Sequence, residues 1–154
     1  MSDADLREIN VAIVSRYIDA INRWDFDTKR ELLAENAVFE MPYAPDGFER
    51  RIVGRDSIIA FVQTVPSIID AENLHDVRLE TYSADPGEIV AEYKSDMVIK
   101  PTGAEYRNDY ISRFTVRGGK ITRFAEYYDP IRLLIALGGR VASGGIAAGS
   151  PAAS

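Results

Sequence analysis

The second half of the chain is the tightest constraint on its fold. From Asn73 onward, four runs rich in Val, Ile, Tyr, Phe and Thr are separated by three turn signals, Asp85-Pro-Gly87, Pro101-Thr-Gly103 and Arg117-Gly-Gly119. That pattern predicts four consecutive strands joined as an antiparallel meander. Runs of about ten or more residues are longer than the usual strand of about five or six, so such a sheet must twist and coil rather than lie flat. A strongly curved sheet has a concave face.

The first half reads as helices to pack into that concavity. Leu6, Ile9, Ile13, Tyr17 and Ile21 recur at three- and four-residue spacing, one apolar stripe on an amphipathic helix. Ser2 is its expected cap, with Asp3 and Asp5 at the positive end of the helix dipole. Asp27 is expected to cap a shorter second helix from Thr28 to Leu33, with Trp24 and Phe26 stapling the corner between the two. The run from Ala37 to Pro42 reads as a strand stopped by proline, and Tyr43 to Val53, with its Gly, Pro and charges, as a loop. After Gly54, the spacing of Ile58, Ile59, Phe61, Val62 and Val65 predicts a third helix that Pro66 ends. Asp129-Pro130 opens a last short helix, carrying Ile131, Leu133, Leu134 and Leu137 and closed by Gly138-Gly139. Helices first and long strands after them predict an α+β fold: one domain over residues 1–138, followed by a flexible Gly/Ala/Ser tail over 139–154.

Composition narrows the chemistry. A chain of 154 residues, 46% hydrophobic, is large enough to bury a core without covalent staples. It has no cysteine, so disulfides, thiolate nucleophiles and Cys-based metal sites are excluded. With one histidine and no His-x-x-x-His, neither a metal nor a cofactor is expected, and His75 is expected merely to open a strand at the surface. A net charge of -6 without a basic cluster argues against nucleic acid. The absence of a signal-like apolar segment near Met1, or of a run of about 18 apolar residues, leads to the expectation of a cytoplasmic protein without a membrane partner.

The order of elements and two local strings resemble the SnoaL-like and ketosteroid isomerase-like branch of the NTF2-like superfamily. The likeness runs from about Leu6 to Leu137. One string is Tyr110-Ile-Ser-Arg-Phe-Thr-Val-Arg-Gly-Gly-Lys-Ile-Thr-Arg-Phe-Ala-Glu-Tyr-Tyr-Asp-Pro130, similar to the family's strand, Gly-Lys-Ile turn, strand and closing Tyr-x-Asp segment. The other is Leu32-Leu-Ala-Glu-Asn-Ala-Val-Phe-Glu-Met-Pro42, similar to the helix-to-strand corner where relatives place pocket residues. The resemblance implies an NTF2-like (cystatin-like) cone, with N-terminal helices on a strongly curved antiparallel sheet. It also implies a homodimer through the outer sheet face, where Arg107, Asp109, Ile111 and Arg113 alternate.

Several residues are candidates for chemistry. Glu126 shares one face of the last strand with Phe124 and Tyr128; if that face lines the cone, desolvation favours the neutral acid and poises it for proton exchange near neutral pH. Phenazine-pathway relatives place an acid at the matching position, and limonene epoxide hydrolases an aspartate. Lys94 and Asp96 share a strand face, at places resembling an arginine and an aspartate of the hydrolases. Tyr17 matches the isomerase-type tyrosine that donates to an oxyanion. Tyr110 stands where isomerase relatives keep a protonated aspartate, on a strand face shared with Tyr106, Asn108 and Ser112. Met41 occupies the isomerase base position, and Val38 and Glu40 stand at positions of the hydrolase water-binding set. Glu40 and Met41 alternate, so only one of them points inward. Tyr43 and Phe61 complete the expected substrate lining.

The expected function is a cofactor-independent isomerase, cyclase, dehydratase or lyase. Its substrate would be a small, mostly apolar, ring-containing or enolisable molecule, with Glu126 as proton carrier assisted by Asp96, Tyr17 and Tyr110. Epoxide hydrolysis by an activated water is one alternative; a non-catalytic ligand-binding or accessory dimer module is another.

Overall fold

The computed structural model describes residues 1–141. Helix α1 spans Asp3–Asn22. It starts with a reciprocal capping box in which the Ser2 hydroxyl accepts the Asp5 N–H at 3.2 Å and the Asp5 carboxylate accepts the Ser2 N–H at 3.0 Å. Its buried face is Asn10, Val14, Tyr17, Ile18 and Ile21. The expected stripe is thus turned by about one position: Ile9 is exposed, and Val14 and Ile18 take the core.

Helix α2 spans Phe26–Leu32 and is capped by Asp25 rather than Asp27. The Asp25 carboxylate accepts both the Thr28 N–H at 3.0 Å and its hydroxyl at 2.7 Å. Trp24 adopts a left-handed conformation, φ 53°, at the corner, and the helix starts two residues earlier than expected. Strand β1, Leu33–Glu40, follows directly. The expected loop contains a short strand, β2 (Arg51–Val53), paired antiparallel to β1. Helix α3 covers Arg55–Val62, and Pro66 lies in a 3₁₀ turn at Val65–Ser67.

The meander is β3 (Leu74–Thr81), β4 (Glu88–Ile99), β5 (Ala104–Arg117) and β6 (Lys120–Tyr128). The sheet order is β2-β1-β6-β5-β4-β3. One expectation is corrected: β1 lies parallel to β6, so the sheet is mixed rather than wholly antiparallel. The meander leaves one edge of β6 without a partner, and β1 covers that edge. Register shifts between Leu33 and Val38, His75 and Arg78, and Thr115 and Val116 supply the local bends that curve long strands.

Side chains on β4 and β5 alternate strictly between buried and solvent-facing positions. At the centre of the inner face Phe124 is sandwiched between Phe114 and Phe39, ring centroids 4.4 and 4.7 Å apart, with Tyr17 edge-on at 5.6 Å. Helix α4, Pro130–Ala136, closes one end, its first turn held by the Asp129 carboxylate accepting the Ile131 N–H at 2.9 Å. Gly138 at φ 89° ends it, with the Gly139 N–H donating to the Leu134 carbonyl at 2.8 Å. Most of the expected flexible tail, residues 142–154, lies outside the described residues.

Candidate active site

Helices on a bent sheet leave a gap where the helix side chains run out, and here that gap is a cavity of about 280 Å³. Its wall is largely apolar: Phe39, Met41, Phe61, Ile69, Met97, Ile99 and Phe124 among others. Phe48 and Ile68, each more than two-fifths exposed, stand at its rim. Set into this wall are three ionisable groups, Lys29 from α2, Glu72 from the segment before β3, and Glu126 from β6, with the phenols of Tyr17, Tyr106, Tyr110 and Tyr128.

Glu126 faces inward because Phe124, Glu126 and Tyr128 occupy one side of β6 while Arg123, Ala125 and Tyr127 occupy the other. The part of Glu126 that is not covered by protein opens onto the cavity. Burial drives its carboxyl from the ordinary 4.5 to about 8; the like charge of Glu72 adds to the rise, and Lys29 opposes it. Glu72 responds in the same way, pushed up to about 7 by burial against the pull of Lys29. Near neutral pH both acids therefore populate both protonation states, whereas in water each would be almost wholly ionised. Burial lowers the Lys29 ammonium, against the stabilising charges of Glu72, Glu126 and Asp25.

The tyrosines remain neutral. Burial, helped by the negative charge of Glu126, raises Tyr17, and burial likewise dominates at Tyr93, Tyr110 and Tyr128. They are hydrogen-bond donors rather than bases. Tyr106 accepts from the Asn108 side-chain amide at 2.8 Å and from the Tyr110 hydroxyl at 3.4 Å, and Tyr110 pairs with the Ser95 hydroxyl at 3.1 Å. With both neighbours donating to it, the Tyr106 hydroxyl keeps its own proton free for the cavity. Among the described residues the Tyr17 hydroxyl has no hydrogen-bond partner and also lines the cavity.

The candidates read from sequence divide into two groups. Glu126, Tyr17, Tyr110, Phe61, Phe124 and Tyr128 come together on the cavity wall. Asp96 and Lys94 do not: the pleat of β4 turns both outward. There Asp96 accepts from the Arg107 guanidinium at 3.1 Å, its side chain 45% exposed. Glu40 also points away, accepting from Arg123 at 3.0 Å, and Met41 takes the inward position. Tyr43 is exposed and packs edge-on against Tyr127 at 5.2 Å. Asn108 is buried one layer behind the cavity wall, its amide donating to Tyr106 and to the Asp129 carbonyl at 2.9 Å, so it positions rather than contacts. His75 lies at the surface beside Asp76, at the start of β3.

Two residues of the wall escape a reading of the sequence. Lys29 follows Phe26 by three positions and precedes Leu32 and Leu33 by three and four. That spacing puts a lysine on the apolar side of its helix, which is a detectable signal. Glu72 has no comparable signal. It is turned inward by long-range pairing that brackets it, an isolated bridge between Ile69 and Ile99 and the Asp96 N–H donating to the Asn73 carbonyl at 3.3 Å. Among the described residues no three His, Asp or Glu side chains converge as metal ligands, and no helix is long and apolar enough to cross a membrane.

Comparison with known proteins agrees with the fold. An uncharacterised protein of Bacillus subtilis, YesE, is 36% identical over 115 residues, 75% of this chain and 78% of its own. An uncharacterised PhzA/B-like protein of Pseudomonas aeruginosa is 33% identical over 120 residues, covering 78% and 84% of the two chains. Among solved structures, a Bacillus subtilis protein proposed as an isomerase superposes with a TM-score of 0.81 at 29% identity over 91% of this chain and 98% of that one. A Xanthomonas campestris protein proposed as a polyketide cyclase gives 0.76 at 26% identity, over 86% and 98%. Residues 14–124, more than half of the chain, match the model of the SnoaL-like domain, and the chain belongs to the SnoaL-like family.

Proposed function

We propose that this protein is a cofactor-independent enzyme of isomerase, cyclase or lyase type, moving protons on a small, mostly apolar, enolisable molecule bound in the cavity. The observation that carries the reading is Glu126, a carboxyl held at about 8 inside an apolar chamber. As a general base it removes a proton α to a carbonyl when ionised, and as the conjugate acid it returns one elsewhere. Glu72, lying in the same wall, is a second proton reservoir of different strength. The free hydroxyl protons of Tyr17 and Tyr106 are suited to bind the oxygen on which negative charge develops. Asp96 has no part in this mechanism, because it stands on the opposite face of β4.

Relatives proposed as an isomerase and as a polyketide cyclase support this class of chemistry. The water-activating alternative is placed second in this proposal because Lys94 and Asp96 turn outward, away from Glu126. The outer face of β5, with Arg107, Asp109, Ile111 and Arg113, is the surface on which a homodimer would form, and a cytoplasmic location remains part of the proposal.

The test does not require the natural substrate. Enolisable ketones of one or two rings, incubated in D₂O, are followed by NMR for exchange of their α-protons. Exchange should rise with pH to a plateau above about 8, and Glu126→Gln should slow it by about 10²- to 10⁴-fold. If the wild-type chain accelerates no exchange while still binding these ketones, the protein is a binding module rather than an enzyme.

A further inference from the structure

Lys29 is 2% exposed, yet its side chain lines the cavity and forms no hydrogen bond or ion pair within 4.0 Å among the described residues. Its Nζ lies 5.2 Å from the centroid of the Phe26 ring. A buried ammonium without acceptors is expensive to keep, and a leucine in this place would serve the core of α2 as well. Glu72 and Glu126 share the chamber but stand beyond ion-pair distance, and each is held toward its neutral form. The tyrosines that face it, Tyr17, Tyr106, Tyr110 and Tyr128, contribute no negative charge, and Asp25, the remaining acid felt by Lys29, is committed to capping α2. Among the described residues the Lys29 ammonium is therefore left without a close negative partner.

We infer that Lys29 is the seat of an anionic oxygen, and that the ligand of the cavity is a small organic acid, an apolar ring or unsaturated chain bearing one carboxylate. This deepens the proposed function and rests on its reading of the cavity as a small-molecule site. The apolar wall takes the body of the ligand, the ammonium takes the carboxylate, and Glu126 stays protonated or ionised according to pH to act on the carbon skeleton between them. Lys29 is then a specificity residue: it selects acids over their neutral counterparts.

The test compares matched pairs of probes, trans-cinnamate with trans-cinnamamide and 1-naphthoate with 1-naphthamide, by calorimetry at about pH 6.5 and about pH 9.5. In the wild-type chain the acid of each pair should bind at least about tenfold more tightly than the amide at the lower pH. That preference should shrink at the higher pH, where Glu72 and Glu126 are both ionised and repel the anion, and where the Lys29 ammonium, lowered by burial, begins to lose its proton. Lys29→Met should equalise the pair while leaving the amide's affinity within about twofold, which also reports an intact cavity, and Lys29→Arg should keep the preference. Equal binding of acid and amide by the wild type, or a preference that survives in Lys29→Met, overturns the inference and leaves acid/base catalysis on neutral ketones standing. Binding of no acid at millimolar concentration while the ring ketones bind overturns the inference alone; binding of neither acids, amides nor ketones overturns both, since the cavity is then not a small-molecule site.

Discussion

The two faces of strands β4 to β6 carry much the same residue types and put them to opposite use. On the outer face charges stand beside partners in water: Asp96 with Arg107 at 3.1 Å, Asp109 with Arg132 at 3.0 Å, Glu40 with Arg123 at 3.0 Å. Such pairs contribute little to stability, because water and salt already satisfy each member. On the inner face Glu126, with Glu72 and Lys29 across the chamber, has no ion-pair partner within 4.0 Å among the described residues and is set in a largely apolar wall. Its ionisation is correspondingly displaced, whereas the outer carboxylates have no comparable burial. A carboxylate on a strand is thus a reactive group or an inert one according to the face it occupies.

The largest expected effect that would break this comparison is at Glu126. Its folded carboxyl sits at about 8 against an ordinary 4.5, so the folded state holds a proton that the unfolded chain has released, and stability falls as pH rises between those values. Glu126→Gln removes that penalty. Chemical denaturation should show the variant more stable by up to about 5 kcal/mol near pH 8 and indistinguishable below about pH 4. No gain at pH 8 would mean that the inner face is as well hydrated as the outer.

Next comes the layer behind the wall. Asn108→Ala leaves the Asp129 N–H, the Asp109 N–H and the Asp129 carbonyl without the side-chain partner they now have, and should cost about 1–3 kcal/mol. Tyr106 also loses its strongest donor, so α-proton exchange should slow more than a purely structural loss explains. Glu72→Gln sharpens the picture within the chamber: removing a like charge should lower the Glu126 midpoint, read by carbon-detected NMR, without returning it to the ordinary value, because burial is the larger cause. The smallest effect belongs to the outer face. Asp96→Ala should change stability by less than about 1 kcal/mol and leave cavity binding unaltered. A larger effect on binding would connect the outer ion pair to the site.

Much of this is legible in the sequence, for identifiable reasons. The four meander strands announce themselves because Pro/Gly turn signals and alternating residues are local features. Ser2 and Asp129 are legible as caps because capping reaches only two or three residues along the chain. Glu126 is legible because it alternates in step with Phe124 and Tyr128, which the core claims. Asp96 misleads: nothing local distinguishes the face of β4 that carries Tyr93, Ser95 and Met97 from the face that carries Lys94 and Asp96, apart from polarity, and catalytic groups are polar too. β2 is illegible because three residues, Arg51–Val53, carry too little pattern to separate a strand from a loop.

What the sequence determined by itself is the scaffold: helices capped and spaced by near neighbours, long strands between strong turns, and an acid on the apolar side of the last of them. The tertiary structure decided which groups share the chamber. Lys29, Glu72 and Glu126 are separated by up to 97 positions (126 − 29), and their meeting depends on the α2 corner, the pairing that brackets Glu72, and the parallel seat of β1 against β6. Their ionisation follows from that meeting, because desolvation is a property of the surroundings and not of the residue.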